Sequence, residues 1–266
     1  MVNSKENSDI IKKIIDDKFR CFQGYAAATL KITAEKDRAK ELLIEETNIS
    51  LSFLRLFTYS VLNPRVKSIC GIWGSAHIDK AFTLYLKNNN EFSGATDEII
   101  GPLPKHDIFN QKMIIDAFQA GLGSIDRLLN NKSLSVFSTN VLDALLLYSR
   151  SALFDNATDK LVYILVALES IMLRNSNEPI QQNLSERIAF LIGRTVAQRK
   201  EIIQTIKNIY ALRSSFIHHG ASISDYDMLG KFMLYAWHSV IQLIVATDNF
   251  KTKDDFINML DERKLA

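Results

Sequence analysis

Hydrophobic residues recur along this chain with two periods, one near 2 and one near 3.6. The first hundred residues mix them. Three short runs there have strand character: "YAAATLKITA" (25–34), "VKSICGIW" (66–73) and "KAFTLYLKN" (80–88), the last with Phe82, Leu84 and Leu86 on one face. Between the first two lies "DRAKELLIEETNISLSFLRLFTYSVL", a helix of several turns that stops at the Asn63-Pro64 breaker. Residues 1–105 therefore predict an α+β part. The stretch "EFSGATDEIIGPLPKH" has Gly94, Gly101, Pro102 and Pro104, the densest punctuation in the chain, and predicts a boundary to a second domain over 106–266.

Beyond that boundary the helical period stands alone. It predicts helices over 107–130, 134–154, 158–174, 184–192, 195–219 and 224–247, and a terminal one after Thr252. Asn183-Leu-Ser-Glu186 reads as a helix start, as does Ser224 before Asp225 and Asp227. The expected architecture is an all-α bundle. The segment 161–173 is apolar nearly all round, which predicts a central helix.

Composition narrows the class. A chain of 266 residues, 47% hydrophobic, with four prolines and no low-complexity tract has material for a well-buried core. The start, "MVNSKENSDI", lacks a cationic-then-apolar leader, and "LVYILVALESIML" is too short to span a bilayer and carries Glu169; a cytoplasmic protein without a membrane partner is expected. Cys21 and Cys70 have no metal-ligand spacing and read as buried small hydrophobes. The net charge of +2 is small, but Leu184 to Gly220 holds six basic residues (Arg187, Arg194, Arg199, Lys200, Lys207, Arg213) against Glu186 and Glu201. Such an excess serves a solvated helix face or a phosphate-binding surface equally well.

One position breaks the helical pattern. In "NIYALRSSFIHHG" (208–220), Arg213 falls within about 20° of Ile206, on the stripe formed by Ile202, Ile206, Ile209 and Phe216. A guanidinium on such a stripe calls for a partner or a ligand. Glu169 is the inward acid of the central helix, on the side of Leu165 and Met172, so the two are expected to meet. A structural ion pair satisfies that pattern as well as a functional site does.

Arg213, four intervening residues, His218, then His219 and Gly220 resemble the Arg-x4-His signature of the HEPN superfamily. The segments "LVYILVALESIML", "LSERIAFLIG" and "IYALRSSFIHHG" are similar in order and spacing to its ApeA-like branch, over roughly residues 130–250. The resemblance implies a helical HEPN domain and, as in many members, a metal-independent ribonuclease of toxin-antitoxin or anti-phage systems, without a cofactor. It implies RNA as substrate, a homodimer formed through the HEPN domain, and an antitoxin or sensor protein as a possible partner. A non-catalytic HEPN module that binds RNA, a nucleotide or a protein is the alternative. Ser214 stands where catalytic members often carry Asn, Asp or His, and it offers a single hydroxyl for hydrogen bonding.

The residue types suit the chemistry. Attack of a 2′-hydroxyl on the neighbouring phosphate needs proton transfer and stabilisation of charge on phosphoryl oxygens. Arginine is a permanent forked cation and histidine titrates near neutrality. The expected roles are Arg213 on the phosphate, His218 in proton transfer, Glu169 orienting Arg213, and Ser214 and His219 in support. Arg187, Arg194 and Lys207 are candidate RNA contacts. On an unbroken helix Arg213 and His218 lie about 140° apart and about 7.5 Å along the axis, so either the helix ends near His218 or a second copy completes the site. A histidine in a last helical turn before glycine is also an ordinary dipole-favoured terminus. His238, beside Trp237, reads as a core histidine; His77 and His106 have no sequence partners. Asp16-Asp17, Asp254-Asp255 and Asp261-Glu262 read as exposed helix-end charges.

Overall fold

In the computed structural model the described residues are 12–13, 15–17, 19–20, 23, 26–72, 79–87, 92–100, 111–219 and 223–265, and the chain is mostly helical. It divides into two units, Met1–Thr47 and Asn48–Ala266. In the first, residues 26–35 carry no strand. Helix α1 (Lys36–Arg55) begins there, with Arg38 paired to Glu41 at 2.9 Å on its surface.

The second unit begins with the end of α1 and a 3-10 turn, Tyr59–Val61. The expected helix to Leu62 stops early, at Arg55. Residues 66–72 are not a strand either. Instead this segment is built into the helical core: Phe53, Leu56 and Val61 are fully buried. Its backbone polar groups, out of water, take partners from the bundle. Trp237 Nε1 donates to the Leu56 carbonyl at 2.8 Å, buried Lys160 Nζ donates to the Val66 carbonyl at 2.6 Å, and Ser68 N donates to the Ala152 carbonyl at 2.7 Å. Cys70 is half-buried rather than buried, and its carbonyl accepts from Arg55; Cys21 lies outside the described residues.

Strand β1 (Asp79–Leu86) pairs antiparallel with β2 (Phe92–Ile100), with Thr83 opposite Thr96 and a register irregularity after Tyr85. Of the three expected strands only 80–88 corresponds to one observed. Half of the stretch expected as a linker is its partner. An α+β N-terminal part is thus not seen, and the expected boundary at 105/106 lies outside the described residues.

The helices follow: α2 (Gln111–Ala117), α3 (Gly123–Leu129), α4 (Val136–Arg150), α5 (Ala157–Met172), α6 (Ile180–Ile192), α7 (Val196–His219), α8 (Tyr226–Ala246) and α9 (Lys253–Leu265). The single helix expected over 107–130 is interrupted by a π-turn at Phe118–Leu122, where Gly121 adopts φ 143°. A side chain at 121 would meet Ile244 Cδ1 at 3.4 Å, so the kink brings backbone close to α8. Local side chains set several starts. Ser135, Asn156 and Asp225 cap α4, α5 and α8, whereas Ser224 does not cap. Thr195 and Gln198 exchange side chain-to-backbone hydrogen bonds at the start of α7, and Thr252 and Asp255 do the same before α9. Helix α6 starts at Ile180, a turn before the Asn183 expected to cap it.

Helix α5 is central and touches α4, α6, α7, α8 and α9. Leu161, Ile164, Leu165, Leu168, Ile171 and Met172 are buried on it. Helix α8 is, among the described residues, the one helix long and apolar enough to cross a membrane. Its Leu229, Phe232, Met233, Ala236, Val240, Leu243 and Ile244 belong to the bundle core.

Candidate functional site

The apolar stripe of α7 packs as its spacing predicts: Ile202, Ile206 and Ile209 are buried. Arg213, one turn on, emerges from that core at its edge. Its side chain is 27% exposed, and that of Glu169, from the last turn of α5, is 18% exposed. The two meet: Arg213 Nη1 donates to Glu169 Oε1 at 2.9 Å. Tyr210, one turn before Arg213 on α7, donates its hydroxyl to the same oxygen at 2.6 Å. The guanidinium lies 5.9 Å from the Tyr210 ring centroid. One carboxylate oxygen thus fixes two side chains, and the pair is half-buried, not a core pair.

Burial, and then the hydrogen bond to Glu169, push the Tyr210 phenol above its ordinary range, so it stays protonated and keeps donating. It holds Glu169 and does not accept protons near neutrality. Arg213 Nε is buried and has no hydrogen-bond partner among the described residues. Nη2, with the second proton of Nη1, has no partner among the described residues, and these are the donors a phosphate oxygen requires. Tyr210 was not singled out in the sequence, although its place three residues before Arg213 on one helix face was a usable signal.

Helix α7 runs unbroken through His219. Positions 213 and 218 are about 140° apart around its axis. The side chains of His218 and His219, and Gly220, lie outside the described residues. Ser214 is exposed beside Arg213.

The candidate RNA contacts separate. Lys207 and Arg194 are exposed. Arg187 is not: it is 1% exposed. Its guanidinium donates to Glu178 at 2.8 and 2.9 Å, to Asp261 at 3.0 and 3.1 Å and to the Met172 carbonyl at 2.6 Å. Every donor nitrogen is used inside the protein, so Arg187 joins α5, α6 and α9 and is not an RNA contact. Its hydrogen bond is the main reason the Glu178 carboxyl falls to about 2. Burial pushes Asp261 up, but hydrogen bonds from Arg187 and Lys264 outweigh that and hold it well below the usual carboxylate range. Asp261, expected as an exposed helix-end charge, is thereby corrected to a network member. His238 is corrected in the other direction: it is exposed on α8, its ring 5.6 Å from that of Trp237. His77 and His106 lie outside the described residues.

Among the described residues no group of three or more His, Cys, Asp or Glu side chains is placed to hold a metal ion. The arrangement as described can bind an anion at Arg213 and hold it in one orientation. A scan against protein-family models, a search of curated proteins and a search of solved structures each gave no match.

Proposed function

We propose that the chain is a metal-independent endoribonuclease of HEPN type, cleaving RNA by attack of the 2′-hydroxyl on the adjacent phosphate. The observation that carries this reading is the Arg213 guanidinium, held by Glu169, which Tyr210 holds in turn, with donors that have no partner among the described residues. Arg213 takes the phosphate and stabilises charge developing on its oxygens, His218 moves the proton, and Ser214 and His219 assist. Because α7 runs on to His219, positions 213 and 218 fall about 140° apart around its axis. A second copy related by a two-fold axis supplies the missing group. The protein then acts as a homodimer in the cytoplasm, in the setting of a toxin or an anti-phage effector under control of an antitoxin or sensor, and residues 1–105 are the part available for sensing.

The test is cleavage of a mixed RNA pool in EDTA. Products should carry 2′,3′-cyclic phosphate ends, DNA should remain intact, and Arg213→Ala and His218→Ala should each abolish cutting. Mixed dimers of those two variants should recover measurable activity. Activity that is lost on chelation and restored by magnesium refutes the proposal.

A further inference from the structure

A groove of about 1010 Å³ opens where the end of α6, the first turns of α7, the middle of α8 and the end of α9 converge. Three elements each bring an arginine to its wall: Arg194 from the α6–α7 connection, Arg199 from α7 and Arg263 from α9; α8 adds His238. The one acidic residue in the lining, Glu201, is already bonded to Lys231. Among the described residues neither Arg194 nor Arg263 has a carboxylate partner for its guanidinium. Three cations facing one hollow with no unpaired acid repel one another, and an anion placed between them removes that cost.

Arg199 is held in position before any ligand arrives. Its Nε donates to the Gly193 carbonyl at 3.1 Å and its guanidinium lies 4.4 Å from the Phe190 ring centroid. The seat depends on glycine, because a Cβ at 193 would stand 2.5 Å from the Ala189 carbonyl oxygen and 2.8 Å from Arg199 Cγ. The terminal nitrogens of Arg199 keep no protein partner among the described residues. This is the fork that matches phosphate oxygens. The same wall carries Phe190, already covered by Arg199, and the half-buried ring of Tyr235, a flat surface of the kind that packs against a nucleobase. The volume is at the upper end of sites that enclose small ligands.

We infer that this groove binds the phosphate groups and base of a nucleotide, either free or as part of a strand. It is a separate site from Arg213: Arg199 precedes Arg213 by fourteen residues on the same helix, about 21 Å along the axis. The inference does not rest on the ribonuclease reading.

Isothermal titration at low salt tests it without a catalytic step. The probes are ATP, GTP, inorganic tripolyphosphate and a 2′-O-methyl pentaribonucleotide, which lacks the hydroxyl needed for cleavage. Binding of ATP or GTP with a Kd below about 0.1 mM identifies the free source, and binding of the pentanucleotide with weak mononucleotide binding identifies the strand. In either case Arg194→Ala with Arg263→Ala should weaken binding at least about tenfold. Both side chains are exposed, so the double variant should fold. The charge-matched control Arg127→Ala with Lys132→Ala, outside the groove, should bind as the wild type does. Tripolyphosphate alone should bind more weakly than ATP. The inference is overturned if no nucleotide probe binds, if the Arg194/Arg263 variant binds normally, or if the Arg127/Lys132 control loses binding to the same extent.

Discussion

Replacing Glu169 with alanine removes the one acceptor that serves both Tyr210 and Arg213. An exposed ion pair contributes about 0–1 kcal/mol, while breaking a buried one costs about 3–5 kcal/mol. With side chains 18% and 27% exposed the pair lies between these limits, so about 2–3 kcal/mol is expected for Glu169→Ala. Arg213→Met loses the same pair but also removes the buried, unbonded Nε, whose cost is about 1–3 kcal/mol, and its net effect should fall below about 1 kcal/mol. Combining Glu169→Leu with Arg213→Met should then give a protein more stable than Glu169→Ala alone. Tyr210→Phe leaves the ion pair and should cost about 1.5–2 kcal/mol, the worth of a hydrogen bond to a charged acceptor. Urea unfolding followed by far-UV circular dichroism, arranged as double-mutant cycles, measures these differences. Coupling of at least about 1 kcal/mol is expected for both Glu169–Arg213 and Glu169–Tyr210. Losses that add within about 0.5 kcal/mol would show that the carboxylate does not hold the two side chains, and the orienting role of Glu169 would go with it.

Acid should weaken the protein through the Arg187 network. Glu178 titrates at about 2 in the fold against 4.5 ordinarily, so its contribution is complete above about pH 4.5 and is lost as pH falls toward 2. Urea midpoints should be flat from pH 7 to 5 and then decline, and Glu178→Gln should make the decline shallower; an unchanged acid limb in that variant would contradict the assignment. Gly121→Ala places a side chain at φ 143° and should cost about 1–3 kcal/mol, whereas Gly230→Ala, helical with 3.7 Å from its Cβ to Pro64 Cδ, should be neutral or stabilising. Thermal unfolding of the two variants compares them, and equal melting temperatures would refute the strained-backbone reading.

Periodicity and end chemistry are local properties, and the helices that rest on them were legible. The stripe of Ile202, Ile206 and Ile209 is buried, and α7 begins at the Thr195 and Gln198 exchange. An arginine out of place on that stripe, and one acid inside an apolar helix, marked Arg213 and Glu169 without any coordinates. Faces are set by spacing of three and four residues along one helix. What a face meets is not.

Arg187, Arg194 and Lys207 are alike as members of a basic segment. Only the arrival of α9 places Asp261 against Arg187, 74 residues away, and takes that cation out of solvent. The same docking leaves Arg194 and Arg263 on one groove whose acid among the lining residues, Glu201, is bonded to Lys231. Strand β2 lies in the stretch whose Gly94, Gly101, Pro102 and Pro104 predict a boundary; pairing supplies what composition does not show, with Tyr85 opposite Gly94. The segment after α1 was assigned to the N-terminal part by its position in the chain. Its place in the core is decided by carbonyls that Trp237, Lys160 and Tyr148 reach from helices far along the sequence. Sequence spacing specifies which side of an element seeks burial, and the free energy of burying polar groups with partners from elsewhere decides which residues end there.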